Sequence, residues 1–174
     1  MSFQTAVYAQ QGLGVPGTRY DNSPMRALSY IIQSALASYN ILGSTACTIK
    51  SEGIAQAGNG SANFGFAGIL VNPEIQALFG VSGDTLGSTL TVANDVVIAC
   101  ATMGRFIVTL PNTANIGDPV IYDNVTGAIS SIALGDPLPV GKTFANAVVA
   151  LFAVTAAGLA VIEVSSNLAP TGLA

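Results

Sequence analysis

The stretch "ANAVVALFAVTAAGLAVIEV", Ala145 to Val164, carries no charge before Glu163. A membrane-crossing helix needs about 20 mainly apolar residues with aromatic or basic anchors at its ends. The apolar span from Ala147 to Ile162 is shorter, contains Thr155 and Gly158, and has only Lys142 nearby as an anchor. "VVALFAV" and "LAVIEV" on either side of "TAAG" instead have the lengths and turn chemistry of a β-hairpin. Leu159, Val161 and Glu163 alternate with Ala160, Ile162 and Val164, a period of two that puts the carboxylate on a wet face.

Short apolar runs broken by turn residues recur along the chain. "FAGILVNP" ends at Pro73, and "TLGSTLTVAND" leads into "VVIACATMGRFIVTL", where Gly104 marks a bend or bulge. "GDPVIYDNVTGAIS" predicts a strand over Val120 to Tyr122, a turn over Asp123 to Gly127 and a return over Ala128 to Ile132. After a turn at Gly43 and Ser44, "TACTIKSEGIA" predicts a strand with Ala46, Thr48, Lys50 and Glu52 exposed on one side, followed by the loop "QAGNGSANFG". This spacing predicts a mainly β fold, a barrel or a sandwich. Residues 25–42 read two ways. Leu28, Ile31, Ile32, Ala35, Leu36 and Tyr39 fall at helical spacing, which favours a helix, while Ser29, Tyr30 and the β-branched pair suit an extended chain.

The pattern divides the chain into an extended N-terminal arm over 1–24, a β-rich body over 25–166 and a tail over 167–174. Gly12, Gly14, Pro16, Gly17 and Pro24 break any regular element in the arm, yet Phe3, Tyr8, Val15 and Tyr20 give it large apolar side chains that call for another surface. Gly-Asp-Pro at 117–119 and 135–137 marks two turns and no solenoid repeat.

Composition sharpens this picture. Hydrophobic residues make up 51% of the 174, and charged residues only 8%, against roughly 25% in ordinary soluble domains. Solubility therefore rests on neutral Gly, Ser, Thr and Asn. With a net charge of −4 and five unclustered cations, there is no basic footprint for nucleic acid or an anionic membrane, and neither is expected as a partner. Cys47 and Cys100 form no CxxC pair and read as buried free thiols. "MSFQTAVYAQQG" lacks the basic and apolar regions of a secretory signal, so synthesis in a cytosol is expected.

Candidate chemistry is sparse. No histidine occurs, which removes the commonest general base and metal ligand. The acids sit mainly beside Gly, Asn or Pro, as Asp84, Asp95, Asp118 and Asp136 do, where turn and capping duty explains them. "GDPLPVGKT" mimics a phosphate-binding loop, but five residues separate its glycines where four are required, and Pro137 and Pro139 delete backbone donors. Lys142 then reads as a solubilising loop residue. No enzyme activity, cofactor or metal is expected. Arg19, Arg26 and Arg105 are candidate interface anchors, since arginine is favoured over lysine at contacts.

Several stretches together resemble the structural cement, or capsid decoration, proteins of tailed bacteriophages. These are "FQTAVYAQQGLGVPGTRYDNSP", "FGFAGILVNP", "TMGRFIVTLPNTANIGDPVIYDNVTGAIS" and "AVVALFAVTAAGLAVIEV", spread from Phe3 to about Val164. The resemblance implies a small β-barrel or jelly-roll-like body with an extended N-terminal segment, and an extended course over 28–39. It also implies a virion protein on the exterior of an icosahedral head, tying neighbouring capsomers together. Its partners would be the major capsid protein and other copies of itself, as dimers or trimers at symmetry axes. The family offers no catalytic residues to carry over. Phe3, Tyr8, Val15, Arg19, Tyr20, Arg26 and Arg105 are the candidate capsid or subunit contacts. The alternative is a β-rich surface or adhesin-like glycan-binding module, although such modules display Trp or Tyr platforms, and this chain has no Trp and five dispersed Tyr.

Overall fold

A computed structural model describes residues 14–59, 65–72 and 90–165. Among these residues nine strands follow one another: β1 (Arg26–Ile32), β2 (Ala46–Ser51), β3 (Ile54–Ala57), β4 (Phe66–Val71), β5 (Val97–Leu110), β6 (Pro119–Asp123), β7 (Ile129–Ser131), β8 (Lys142–Leu151) and β9 (Gly158–Val164). They hydrogen-bond in the order β1-β3-β2-β4-β5-β9-β8-β6-β7, and β1 also pairs with β5. That extra pairing closes β1, β3, β2, β4 and β5 into a five-stranded barrel. Its one parallel contact, Ile31 and Ile32 of β1 beside Ile54 and Ala55 of β3, completes the ring.

The remaining strands build out from the far half of β5. Residues 97–103 of β5 pair with β1 and 99–101 with β4, whereas Gly104 to Leu110 pair antiparallel with β9. The expected interruption at Gly104 is therefore a change of partners within one continuous 14-residue strand. At the far end of the order, β7 returns to β2 through the Thr45–Ala128 bridge. Ala46 N–H donates to Gly127 O (2.8 Å) and Ile129 N–H to Ser44 O (3.1 Å).

Strands β2, β4 and β5 thus form a wall between two cores. Ala46, Ile69, Val71 and Ala101 face the larger core with Phe106, Val108, Val149 and Ile162. Cys47, Ala67, Leu70, Ile98 and Cys100 face the barrel's own core with Ile32 and Leu42. A strand buried on both faces needs no polar alternate, which is why "FAGILV" reads as an unbroken apolar run. It is also why the expected exposure of Ala46 and Thr48 is incorrect. Both are buried, Thr48 donating its hydroxyl to Gly58 O at 2.6 Å, and only Lys50 and Glu52 emerge into solvent.

Cys47 and Cys100 are free and buried within the barrel. A hydrogen bond with Cys47, reinforced by burial, favours the neutral form of Cys100 and raises its pKa well above that of an ordinary thiol, so it stays protonated.

The helical spacing over 25–42 misleads. Arg26–Ile32 is a strand, and the only helical geometry in this stretch is a single 3-10 turn, Ala37–Tyr39. A helix there would leave the Val97–Met103 stretch of β5 without the partner that closes the barrel, and tertiary pairing of that length outweighs a weak local preference. The extended course implied over 28–39 holds through Ile32. Of "TLGSTLTVAND", 85–89 lie outside the described residues, and Thr91 makes an isolated bridge to Ile41.

Both predicted hairpins are present. β8 and β9 pair antiparallel through Ala147–Val164 and Val149–Ile162, so the opening apolar stretch folds back on itself. No helix among the described residues is long and apolar enough to cross a membrane. β6 and β7 pair from Val120–Ser131 to Tyr122–Ile129. Their turn is held by Asp123, whose Oδ1 accepts from Val125 N–H (2.9 Å), Thr126 N–H (2.8 Å) and the Thr126 hydroxyl (3.0 Å). Beside β7, the Asn112 side chain imitates a strand partner. Its Nδ2 donates to Ser131 O (2.8 Å) and its Oδ1 accepts from Ser131 N–H (3.3 Å), blunting a pairing site.

Gly68 lets the wall close. It has a φ of +135°, and a Cβ there would overlap the carbonyl oxygen of Ala101 in β5. It also sits at the register shift between β2 and β4, which resets the alternation so that Ala67 and Leu70 share one core. Gly68→Ala is expected to lower unfolding stability by about 2–4 kcal/mol through backbone strain and overlap, measured by chemical denaturation. An unchanged midpoint would show that the wall tolerates a side chain there.

Candidate interaction surface

Seven candidate contacts came from sequence, and five lie among the described residues. Phe3 and Tyr8 lie outside them. Arg19 and Tyr20 lie beside Arg105 because residues 17–20 run antiparallel to β5, and Arg26 pairs with Met103 of the same strand. Gly17 N–H donates to Ile107 O (2.7 Å), Ile107 N–H to Thr18 O (2.9 Å), and Tyr20 N–H to Arg105 O (2.9 Å), with a bridge between Arg19 and Phe106. The breakers that exclude a regular element permit a close approach instead. A side chain on Gly43 would overlap Pro16 and Gly17, so the arm's inner end lies directly on the turn that precedes β2.

Arg105 is the electrostatic centre of this junction. Its Nε donates to Glu163 Oε2 (3.0 Å) and its Nη1 to Asp21 Oδ2 (3.2 Å), joining the arm to two strands of the sheet. Arg105 and Glu163 are direct cross-strand partners. All three groups are partly exposed, so water screens the attraction and geometry matters more than energy. The pKa of Asp21 is lowered first by Ser23, whose N–H donates to Oδ1 at 2.9 Å, and then by Arg105. Tyr20 packs edge-on against Phe152 in the β8–β9 loop, with ring centroids 6.2 Å apart. Arg19 reaches Asn22 Oδ1 at 3.3 Å. Thr18, Arg19, Tyr20, Asp21, Asn22 and Asn72 line a shallow cavity of about 270 Å³. Val15 and Arg26 are exposed and do not line it, Arg26 being the first residue of β1.

Sequence reasoning missed Asp21, Glu163 and Phe152 as parts of this junction. A signal existed for one pair: Arg105 and Glu163 are single charges in otherwise apolar strands, and opposite lone charges of that kind suit neighbouring positions on one face. Nothing in the linear pattern brings Asp21 or Phe152 to them.

Asp118, like Asp123, serves a turn. Asp118 is buried and accepts from Asn115 N–H (2.7 Å) and Leu134 N–H (3.3 Å). Lys142, expected in a loop, is instead the half-buried first residue of β8, and its Nζ lies 3.1 Å from Ser130 Oγ. The segment before it enters a strand, with no helix to cradle a phosphate. Among the described residues no three His, Cys, Asp or Glu cluster as a metal site would require.

The Arg105 junction should behave as a latch on the arm. Arg105→Met is expected to speed proteolysis within 14–24 and amide exchange at Gly17 and Tyr20 several-fold at neutral pH, with little change in the core. Since folding lowers the Asp21 pKa, its contribution is present above the unfolded carboxylate value of about 3.9 and is lost as pH falls through the lower folded value. Wild-type arm protection should therefore persist from pH 7 to 5 and decline below about 4. Equal protection in wild type and Arg105→Met would remove the latch.

Comparison with known proteins places this architecture. Residues 3–166 match the family model described as structural cement protein (E217 gp24/Pam3 gp6). A chain from a solved structure titled "The capsid of Myoviridae Phage XM1" shares the fold with a TM-score of 0.59 and 19% identity, over 95% of this chain and 99% of that one. No curated protein sequence matches. With a family match running from the arm through the closing hairpin, the chain belongs to the structural cement proteins of bacteriophages.

Proposed function

We propose that this protein sits on the exterior of a phage head, contacts the major capsid protein, and bridges neighbouring capsomers without catalysing a reaction. The observation that carries this reading is the junction at Arg105, where a segment of the N-terminal arm is bonded along β5 and tied by charge to β9. An arm secured at its root to a rigid sheet transmits tension to the body, as a mechanical link must. In this reading 1–24 is the arm, 25–166 the body and 167–174 a tail. Phe3 and Tyr8 engage the neighbour, Val15 and Arg26 flank the contact, and Arg19, Tyr20 and Arg105 hold the root.

The neutral exterior supports the same reading, because interface cores are depleted in Lys, Glu and Asp. Each contact can be modest. A standard interface of about 1,600 Å² spans micromolar to picomolar affinity, and repetition over a lattice multiplies attachment. With few ion pairs taking part, attachment should depend weakly on salt.

Cosedimentation with shells of the cognate capsid protein tests this. The full chain should bind comparably at 50 mM and 500 mM salt and delay release of shell subunits on heating. A double Phe3→Ala, Tyr8→Ala variant should bind at least tenfold more weakly. Undiminished binding by that variant would contradict the arm's role, and failure of the full chain to bind any shell would contradict the cement reading.

A further inference from the structure

The β8–β9 loop holds one residue in a conformation that its side chain disfavours. Phe152 has a φ of 61°, a left-handed backbone that crowds Cβ against the following carbonyl and is an outlier for a bulky residue. Every other described residue with a positive φ is a glycine, Asn59 or Asp95, types that adopt it readily. The path of the loop accounts for the backbone. Leu151 makes the last pairing of β8, with Val161, and only Phe152 and Ala153 separate it from Val154, which exchanges two backbone bonds with Ala114 (2.9 and 2.8 Å). A glycine at 152 would make that turn without strain, so the path leaves the ring unexplained.

Packing within the chain explains only half of it. The ring meets Tyr20 edge-on, with 74° between the planes, a favourable aromatic contact, yet Phe152 stays 51% exposed. Ala153, Thr155, Ala156 and Ala157 are exposed too, but small and uncharged, which makes Phe152 the one large side chain exposed in 152–157. Strain of this kind persists where an outlier serves a site, and aromatic residues are enriched at interfaces. We infer that Phe152 anchors the body to the phage shell, the exposed side of its ring entering an apolar pocket of the shell protein. Tyr20 identifies the occupant. It belongs to the arm segment bonded along β5, so the ring of Phe152 continues the surface by which the arm reaches its neighbour. The Tyr20 contact and the bridge at Val154 hold the ring in place beforehand, which lowers the ordering cost of binding. The inference rests on the cement reading and deepens it by naming a contact on the body.

A strained anchor makes stability and binding move in opposite directions, and that opposition is the test. Phe152→Gly relieves the backbone, so its chemical denaturation midpoint should be no lower than that of wild type and higher than that of Phe152→Ala, which keeps the strain and loses the ring. Cosedimentation of Phe152→Gly with shells of the cognate capsid protein should nevertheless weaken roughly tenfold or more. Phe152→Asn, which tolerates the same backbone, should behave likewise, and Phe152→Trp should keep most of the binding. Resistance of 14–24 to proteolysis should stay that of wild type in Phe152→Gly, because the backbone bonds to β5 and the Arg105 ion pairs still hold the arm. A midpoint below that of wild type would show that the fold itself repays the strain and would overturn the inference. So would loss of binding accompanied by faster cleavage of 14–24, since the ring would then act only by holding the arm. Wild type and Phe152→Gly bound equally well would overturn this inference alone, whereas a wild type that binds no shell would overturn the cement reading and this contact with it.

Discussion

The structure depends on a three-stranded wall that is buried on both faces. β2, β4 and β5 send alternate side chains into two cores, and β5 is long enough to belong to both sheets. A wall of this kind allows 174 residues with few charges to bury apolar surface efficiently. It also imposes strict local demands. Backbone spacing at Gly68 leaves no space for a side chain, and the hydroxyl of Thr48 must find Gly58 because no water reaches it.

The same wall organises the rest of the molecule. Because β5 runs from the barrel into the second sheet, the arm segment that pairs with Arg105 and Ile107 is attached to both cores through one strand. The ion pairs of Arg105 add direction at a solvent-screened site, while the backbone bonds and the Gly17–Gly43 contact supply the docking itself. The family is one of structural cement proteins of phages, and such continuity is what the proposed mechanical link would use. Asp118 and Asp123 use their carboxylates to fix turns.

Much of this was legible in the chain, for physical reasons that can be named. Hairpins announce themselves locally, so the β6–β7 and β8–β9 pairs were readable from turn residues and alternation, as was the change at Gly104. The resemblance of several Gly- and Pro-punctuated stretches to phage cement proteins matched the family. The first half of β2 and all of β1 were harder. Thr48 looks like a surface residue until a second core covers it, and residues 28–39 keep helical spacing by coincidence while the edge of β5 decides the conformation of 28–31. At the junction, Arg105 was identifiable as an unusual charge, but Asp21 and Phe152 reach it only through the path of the chain in space. Linear patterns do not encode that path.

Hydrogen exchange along β5 tests the shared wall most directly. If the wall makes one rigid body, amides of Ile98 to Cys100 in the barrel half and Val108 to Leu110 in the sheet half will exchange with the same opening free energy, equal to that of global unfolding. Two distinct opening free energies, with a break near Gly104, would show two separable units joined by a seam and contradict the account.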